Sequence, residues 1–573
     1  CIPEYFCEGY SNLCSVTVGH LTSPVVGKYA FSSCVSLSEI DLPTITEVHE
    51  GAFTETKLSS FDGRSLTSIG DSAFAFCPEL ESFDLSENRS LTNVGAWVFE
   101  GCLALRSVEL PETVEQIGTA AFRSCSSLEE IIFPENLRFI GDHAFDGCTA
   151  LESIVIPDDT EYIGDGAFFA CGSLSDITLP FIGNTREGGE PFLHVFSGLS
   201  DEKYTVTVTL ASVLGADAFN GCARLQAVYL PDTLTDIGTA AFKDCRTLTT
   251  IDLPDSLEKI GDEAFMNCGY LSRLTLPGSL RSIGVNAFTD CIRLYEVKNE
   301  SVLQVEAGDY ENGNVGLHAL KVYGAEEEIP ERETQDGWSF AKIDGVRYLV
   351  GYPEKSVLSL PGRTEAYSVA PYLFFNDTEI LKLTNTGSAV GIGRSAFELC
   401  YELNEVIFTD GVIEIGECAF GNCTSLMRLT LCTTLEEIDL CAFENCVRLY
   451  EIWNLSSLPI TAGESSYGGV AQNAYYVYDT AAQDRNVVYD SHNLFVRTGT
   501  EWMLVSCELT DVVRLPYSFS YDGNTVNGYG IGSGAFANQQ IRELYIPFRV
   551  NRIAAGAFDD CPELTAIFYD GTQ

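Results

Sequence analysis

Apolar residues recur along this chain with a period of 23, and their spacing changes within each period. Residues 117–134 show the first half of the pattern. Ile117, Ala121 and Cys125 lie four apart, and Phe122 follows Ala121 directly. This spacing predicts one apolar stripe of a short helical segment.

The second half of the repeat predicts a strand. Leu128 is followed by Ile131 and Phe133, two apart, which predicts a short strand with one face inward. Pro134 ends this strand because proline cannot donate a hydrogen bond to a ladder. Gly118, next to the first Ile of the repeat, permits a tight turn where a side chain would clash.

The pattern recurs in clear and in weaker copies along most of the chain. Clear copies open at Ile69, Val94, Ile117, Ile140, Ile163, Ile237, Ile260, Ile283, Ile392, Ile415, Ile438, Ile531 and Ile553, and weaker ones near Val26, Val48 and Leu214. One coil cannot bury its apolar residues alone, whereas stacked coils share a continuous core. We therefore expect a repeat solenoid that is mainly β, with short helical or 3-10 turns.

The pattern Ile-Gly-x-x-Ala-Phe-x-x-Cys-x-x-Leu-x-x-Ile-x-Leu-Pro resembles the BspA-like leucine-rich repeats, and the resemblance covers nearly the whole chain. It implies a right-handed leucine-rich-repeat horseshoe or superhelix with a parallel sheet on its concave face. Members of that family are typically secreted or surface-attached proteins of bacteria and some protists. They are associated with adhesion to host proteins, extracellular matrix or other microbes, so the resemblance implies a binding protein but no particular ligand.

Interruptions of the period predict seven segments. They are leucine-rich repeats at 1–180, an insertion at 181–213, repeats at 214–297, a β-rich insertion with degenerate repeats at 298–391, repeats at 392–455, a second β-rich insertion at 456–530, and C-terminal repeats at 531–573. The two long insertions are copies of each other at an offset of 155, since residues 294–297 match 449–452 and residues 322–323 match 477–478. The second half of each insertion fits degenerate repeats equally well.

Charge excludes several kinds of partner. The chain has 82 acidic and 33 basic residues, a net charge of −49. Phosphates would be repelled, which argues against nucleic acid and against anionic membranes. The sequence contains no run of eighteen apolar residues, so we expect no membrane span in this chain.

Most of the 21 cysteines hold one position of the repeat, where Cys acts as a small buried hydrophobe. We expect free thiols there. Cys418 and Cys441 differ, because they occupy a normally polar place one residue before the Ala of consecutive coils. A Cys418–Cys441 disulfide, or two plain thiols, fits this spacing better than a zinc site, since Cys418 and Cys423 point to different sides.

No catalytic, cofactor-binding or metal-binding residues emerge from the sequence. Residues 391–396 and 530–535 match the dinucleotide pattern Gly-x-Gly-x-x-Ala, but both are ordinary starts of a coil without the strand and long helix that the motif requires. Six scattered histidines share no repeat phase. We therefore expect a protein that is not an enzyme and needs no cofactor.

In Leu-x-x-Ile-x-Leu, the residue between Ile and Leu points away from the core. Residues at this position in successive coils therefore form the exposed surface of the predicted sheet. Aromatic residues there or nearby are candidates for contact with a partner, because aromatic side chains are enriched at interfaces. The candidate partner-binding residues are Tyr229, Tyr295, Tyr450, Trp453, Tyr545 and Phe568. The alternative is that the insertions cover these residues and make them local core.

These observations predict an extracellular or cell-surface recognition or adhesion protein that binds a protein or glycan ligand on a host or neighbouring cell. The alternative is a structural subunit that self-assembles end to end into a filament. The chain starts and stops within the repeat pattern, which fits either a fragment of a longer surface protein, the interpretation we favour, or coils that stack head to tail. Leu564 and Ile567 still fit the strand of a coil, and no polar cap follows them.

Overall fold

Each coil of the solenoid contributes two short strands to two separate ladders. In the computed structural model, the strand that carries the Ile of Ile-Gly pairs in parallel with its copies and forms the Ile-Gly sheet, as Ile117 does with Ile140. The strand that carries Leu-x-x-Ile-x-Leu forms a second parallel ladder, the face sheet, in which Ile131 pairs with Val108. The predicted solenoid of 23-residue turns, mainly β, is confirmed.

The structure describes residues 1–85, 87–186, 190–199, 202–353, 355–479, 486–536, 539–559 and 561–570. The chain divides into two compact units, Cys1–Ile329 and Pro330–Gln573. The boundary between the units lies inside the predicted insertion 298–391. Each unit has an apolar core built from its own stacked coils.

The first unit contains both ladders. Its Ile-Gly strands are Val25–Val26, Glu47–Val48, Ser68–Ile69, Asn93–Val94, Gln116–Ile117, Phe139–Ile140, Tyr162–Ile163, Val213–Leu214, Asp236–Ile237, Lys259–Ile260 and Ser282–Ile283. Its face strands are Ser15–Thr17, Glu39–Asp41, Ser60–Asp62, Ser82–Asp84, Ser107–Glu109, Glu130–Ile132, Ser153–Val155, Asp176–Leu179, Tyr204–Val208, Leu225–Tyr229, Thr250–Ile251, Arg273–Leu276, Glu296–Asn299 and Lys321–Gly324. Its described helical elements are an α-helix at Phe192–Phe196 and a 3-10 turn at Asn312–Asn314.

The second unit combines the same ladders with antiparallel hairpins. Its Ile-Gly strands are Tyr367–Val369, Ala389–Ile392, Glu414–Ile415, Glu437–Ile438, Tyr529–Ile531 and Val550–Ile553. Its face strands are Val357–Leu360, Lys382–Asn385, Glu405–Ile407, Arg428–Leu431, Glu451–Asn454, Tyr476–Tyr478, Asp511–Arg514, Ile541–Ile546 and Ala566–Tyr569. Its hairpin strands are Glu333–Gln335, Trp338–Ile343, Val346–Gly351, Val487–Asp490, Asn493–Thr498, Glu501–Cys507, Phe519–Tyr521 and Asn524–Val526.

The segment expected to be a short helix is a series of turns instead. Ala120 and Ser124 adopt left-handed φ angles of 53° and 61°, which interrupt any helix. The amide groups of Ala120, Phe122 and Ser124 donate to carbonyls of the next coil, at 2.9, 2.8 and 2.6 Å. Alternate backbone groups are thus satisfied between coils rather than along a helix axis. The four-residue spacing of apolar residues arises from these turns.

The glycine of Ile-Gly is required by close approach between coils. A Cβ atom added to Gly118 would lie 2.6 Å from the carbonyl carbon of Gly95 in the preceding coil. The amide of Gly118 donates to the carbonyl of Val94 at 2.8 Å. A larger residue would therefore push two hydrogen-bonded coils apart.

Phenylalanine rings stack through the centre of the coils. Phe122 and Phe145 lie 5.2 Å apart with an interplanar angle of 4°, and Phe145 repeats this contact with Phe168 at 5.2 Å. Such aligned rings fill the same space in each coil and exclude water. Stacking of equivalent residues makes each coil the template for the next.

The buried cysteines hold the coils together by hydrogen bonds as well as by packing. The thiol of Cys125 donates to the carbonyl oxygen of Phe99 in the preceding coil at 3.1 Å, and Cys148 donates to Phe122 at 3.2 Å. The same carbonyl of Phe99 also accepts the amide of Cys102 at 3.1 Å. The cysteine column consists of free thiols in this structure, so Cys supplies a weak donor where a purely apolar residue would not.

Residues 181–213, predicted as an insertion, stack as a longer coil. The helix Phe192–Phe196 lies where other coils have turns, and the Phe196 ring stacks on Phe168 at 5.1 Å. The strand Tyr204–Val208 pairs in parallel with both neighbouring face strands. The extra residues therefore lengthen one coil without breaking either its aromatic stack or its ladder.

The two long insertions share one architecture. The hairpin strands Trp338–Ile343 and Val346–Gly351 precede a coil that pairs through Leu349 with Val369. Their counterparts are Asn493–Thr498 and Glu501–Cys507, which rejoin the solenoid where Leu504 pairs with Ile531. In each case an antiparallel hairpin feeds its last strand into the parallel Ile-Gly sheet.

Candidate functional site

The face sheet presents side chains to solvent in columns. In a typical strand such as Ser153–Val155, the middle residue is buried and the two flanking residues are exposed. Ile132 and Val155, at the position between Ile and Leu, are exposed by 55% and 65%. A pleated strand with one face on the core must present alternate residues outward. The surface available to a partner is therefore this column.

Register aligns the outward residues of successive coils in the second unit. One column consists of Ser359, Thr384, Ile407, Thr430 and Trp453, and it ends at Tyr478, which is buried. A further column consists of Arg514, Tyr545 and Phe568. Neighbouring residues in such a column lie close enough for aromatic and ionic contacts.

The first residue of a typical face strand is exposed, but in two face strands a buried glutamate occupies this position. Glu451 is only 1% exposed, and its Oε1 accepts a hydrogen bond from the Tyr478 hydroxyl at 3.1 Å. Its Oε2 lies 3.5 Å from Nε of Arg428 in the preceding coil. Glu296 has an equivalent position, 3.0 Å from Arg273. These paired charges hold the coils that lead into the long insertions and were missed by sequence reasoning.

Two of the predicted partner-binding residues lie at the surface of the face sheet in different surroundings. Tyr229 ends the strand Leu225–Tyr229 and is 57% exposed. Trp453 is half-buried because its ring stacks on Tyr478, with centroids 4.9 Å apart.

The expectation that Tyr295 and Tyr450 form an exposed column is wrong for Tyr295, which is 1% exposed. Its counterpart Tyr450 is half-buried against an apolar cluster of Val487, Leu494 and Val496 from the hairpin that follows it. Covering a large ring with apolar side chains is favourable. Burial raises the pKa of Tyr450 to about 12. For these two tyrosines the alternative of local core holds.

The remaining two predicted residues, Tyr545 and Phe568, form part of a groove. Their rings stack at 4.5 Å, and the Arg514 guanidinium lies 3.7 Å from the centroid of Tyr545. The groove has a volume of about 320 Å³. Its lining comprises Arg514, Leu515, Tyr517, Tyr545, Ile546, Pro547, Phe568, Tyr569 and Asp570. We call it the Arg514 groove.

Sequence reasoning found the aromatic part of this groove and missed its polar part. Arg514 precedes Leu515-Pro516, which is the end of a degenerate repeat, so its outward position could have been read from the pattern. Tyr517 and Asp570 come from loops that follow strands, and the Tyr517 hydroxyl donates to Asp570 at 3.2 Å. Their meeting depends on loop geometry rather than on the repeat.

A larger groove in the first unit has a different character. It has a volume of about 680 Å³ and includes Asp62 and Arg64. The Arg64 guanidinium lies 2.7 Å from Asp62 and 3.4 Å from Asp84, so its charge is already matched. The pKa of Asp62 is lowered, chiefly by the hydrogen bond from Arg64. This groove is mainly polar, and its aromatic lining residue, Phe61, is buried.

Cys418 and Cys441 are half-buried free thiols on consecutive coils. Burial raises the pKa of Cys418 to about 11, and a hydrogen bond with Glu444 is the main cause that raises the pKa of Cys441. The disulfide between them stays a prediction.

Within the described ranges, no group of three or more His, Cys, Asp or Glu side chains is arranged to hold a metal ion. Nor does any helix of that part of the chain have the length and apolarity to cross a bilayer. Histidines make ordinary surface contacts, as His194 does with Asp165 at 2.8 Å.

Several solved structures of bacterial proteins are similar to this chain. The chain is similar to a leucine-rich repeat protein from Bacteroides ovatus, with 27% identity over 57% of this chain and 88% of that chain and a TM-score of 0.41. It is also similar to a leucine rich cell surface protein from Faecalibacterium prausnitzii (18% identity, 85% and 84% coverage, TM-score 0.18). The pneumococcal vaccine antigen PcpA matches with 17% identity, 84% and 85% coverage and a TM-score of 0.21. No curated protein matches the chain.

The family comparison covers well over half of the sequence. The BspA type Leucine rich repeat region matches in 6 copies, over residues 1–128, 92–190, 194–316, 363–467 and 525–571. The matched ranges include the coils whose Phe and Cys columns form the core, and the resemblance seen in the repeat pattern is thereby confirmed. This chain belongs to the BspA-type leucine-rich-repeat family.

Proposed function

We propose that this chain is an extracellular or cell-surface recognition protein that binds a protein or glycan partner through its face sheet. Family membership supports a repeat scaffold with a surface-protein-like fold. The observation that carries the proposal is the Arg514 groove, where an arginine and a set of aromatic rings are exposed together on the outward side of the strands.

Within each coil, one set of side chains forms the core and another set faces outward, and this separation supports the proposed role. The Phe, Cys and Ile side chains of the repeat pack in the core, as the full burial of Phe122 and Cys125 illustrates. The outward column is free to vary, and it ranges from Asp84 through Ile132 to Trp453. Rigid scaffolds with variable outward residues suit recognition, because partner contacts change without loss of the fold.

The proposed role is non-enzymatic. A catalytic site needs a nucleophile, acid or base held in a cleft. The grooves of about 680 and 320 Å³ are lined by side chains that pair with each other or stack, as Arg64 and Tyr545 do. Contact surfaces of this kind support binding.

The test is a binding measurement with the purified chain immobilised on a biosensor. A panel of extracellular-matrix proteins and oligosaccharides is passed over it, and the double variant Tyr545→Ser/Phe568→Ser is compared with the matched control Ile132→Ser. We expect at least one partner to bind, and the double variant to weaken that binding about tenfold or more. Ile132→Ser changes an exposed residue of the face sheet that is far in the sequence from Tyr545 and Phe568, so we expect it to leave binding unchanged.

Two outcomes would contradict the proposal. Absence of binding across the panel is one. The other is concentration-dependent growth of the unliganded chain into filaments, seen by sedimentation and electron microscopy, which would favour the structural alternative of end-to-end assembly.

A further inference from the structure

The Arg514 groove contains a cation without a carboxylate partner. Arg514 is exposed, and its contact in the structure is the face of the Tyr545 ring, 3.7 Å away. Among the residues that the structure describes, no carboxylate lies within ion-pair distance of its guanidinium. Acidic residues outnumber basic ones 82 to 33 in this chain, so an arginine left unmatched inside a groove is an available charge rather than a neutralised one.

Neighbouring charges show the contrast. Arg542 is paired with Asp511 at 3.2 Å. Arg64 occupies the groove of the first unit but is held by Asp62 and Asp84. The Arg514 guanidinium lies over the Tyr545 ring, and because Arg514 is exposed its N–H groups can donate to an acceptor in the groove.

The shape of the groove limits what can enter. Its volume of about 320 Å³ lies near the lower end of the sizes found for small-molecule sites. The rings of Tyr517, Tyr545 and Phe568 supply apolar walls, and Asp570 supplies carboxylate oxygens that accept hydrogen bonds. This combination suits a ligand with an apolar ring face, hydroxyl groups and one negative charge.

A peptide strand is a poorer fit. Main-chain recognition by strand addition needs a free edge. The Tyr545 strand is paired on both sides, with Arg514 and with Phe568, so no strand can be added beside it. In the described part of this sheet the free edges belong to Asp511–Arg514 and Ala566–Tyr569, so a ligand that lies over Tyr545 is held by side chains.

We propose that the Arg514 groove binds a carboxylated sugar of an acidic glycan, with the Arg514 guanidinium paired to the sugar carboxylate. The sugar lies along the edges of the Tyr545 and Phe568 rings, since the faces of Tyr545 are covered by Arg514 and Phe568, and its hydroxyl groups donate to Asp570. Two parallel N–H···O bonds from a guanidinium match the two oxygens of a carboxylate. The net charge of −49 does not prevent this, since charges farther away than about 8 Å are largely screened at physiological ionic strength. The inference rests on the proposed recognition function and names a ligand class for it.

Isothermal titration calorimetry with defined probes tests the inference. The probes are 3′-sialyllactose and a hyaluronan tetrasaccharide, with lactose and a carboxyl-reduced hyaluronan tetrasaccharide as neutral controls. The variants are Arg514→Gln, Arg514→Lys and the matched control Arg549→Gln. Arg549 also lies over an aromatic ring, 5.4 Å from the centroid of Phe548, but does not line the groove. Thermal unfolding of each variant is recorded to show that the fold is retained.

We expect an acidic probe to bind at least about tenfold more tightly than its neutral control. Arg514→Gln is expected to remove that preference, Arg514→Lys to restore it in part, and Arg549→Gln to leave it unchanged. Equal binding of acidic and neutral probes, equal losses in Arg514→Gln and Arg549→Gln, or no binding of either acidic probe would overturn the inference. If both acidic probes fail while the biosensor panel still detects a protein partner, the glycan assignment is wrong and the recognition function stands. If both acidic probes fail and the panel detects no partner, the glycan assignment and the recognition function are both wrong.

Discussion

The buried side of each coil and its outward strand face differ in how strictly they repeat. Inside, Phe122, Phe145 and Phe168 occupy one position in three consecutive coils and stack at 5.2 Å. Outside, the corresponding coils carry Ile132, Val155 and Thr178. Repetition inside is required because each ring touches its own copy. Outward residues touch solvent, so their identity is available for function.

Alkaline pH should have the largest effect on the difference between the buried side and the outward face. It deprotonates the buried cysteine column and so lowers the stability of the fold, whereas it leaves the outward face unchanged. Burial raises the pKa of Cys77 to about 11 and of Cys171, Cys222 and Cys291 to about 12. An unfolded thiol titrates near about 8.5. Between these values the folded state keeps protons that the unfolded state has released, so stability is intact below about pH 8.5 and falls as pH rises. Each thiol should contribute a loss of about 1.4 kcal/mol per pH unit.

We therefore expect the urea midpoint of unfolding to fall steeply between about pH 8.5 and 9.5, under reducing conditions. This window lies below the ordinary pKa of tyrosine, near about 10. Replacing Cys125 by Ala should make the pH dependence shallower by about one proton. A midpoint that does not change with pH over this window would show that the cysteine column does not titrate as buried thiols.

A single core ring provides the next largest effect. Phe122 is fully buried between Phe99 and Phe145. Phe122→Ala should lower the free energy of unfolding by about 3–5 kcal/mol, because it leaves a cavity in a continuous stack. The matched exposed change Ile132→Ala, ten residues later in the same coil, should cost less than about 0.5 kcal/mol. Chemical denaturation followed by circular dichroism measures both, and similar losses would contradict the division between core and face.

The residues that repeat could be identified from spacing alone, and so could the outward direction of Trp453 and Tyr545. The turn conformation could not, since Ala120 and Ser124 are held at left-handed φ by hydrogen bonds to the next coil. These hydrogen bonds form only when the coils stack, so they cannot be predicted from the local conformational propensity of the residues. The burial of Tyr295 could not be predicted either, because tertiary packing around an insertion decides it.

A disulfide between Cys418 and Cys441 would link two consecutive coils outside the face sheet and stabilise the fold without changing the outward face. Adjacent coils are spaced by about 4.8 Å, which lies within the Cα separations that disulfides bridge. Exchange with oxidised glutathione at pH 9 should form a Cys418–Cys441 disulfide and release two equivalents of reduced glutathione. We expect the bridge to stabilise the second unit by about 1–3 kcal/mol.

Peptide mapping and thermal unfolding check this prediction. The mapped disulfide should join residues 418 and 441, and Cys418→Ser should lose both the bridge and the gain in melting temperature. A bridged chain that melts at a lower temperature would mean that the geometry of these two turns does not suit a disulfide.

Trp453 tests the outward face itself, with the smallest expected effect on stability. Its ring stacks on Tyr478 at 4.9 Å but is only half-buried. A cross-strand aromatic pair of this kind contributes about 0.2–1 kcal/mol, so Trp453→Ala should lower the melting temperature only slightly. If Trp453 serves recognition, the same change should weaken partner binding on the biosensor by more than this stability loss accounts for. If binding is unchanged and the melting temperature falls sharply, Trp453 is local core like Tyr450, and recognition by the second unit is confined to the Arg514 groove.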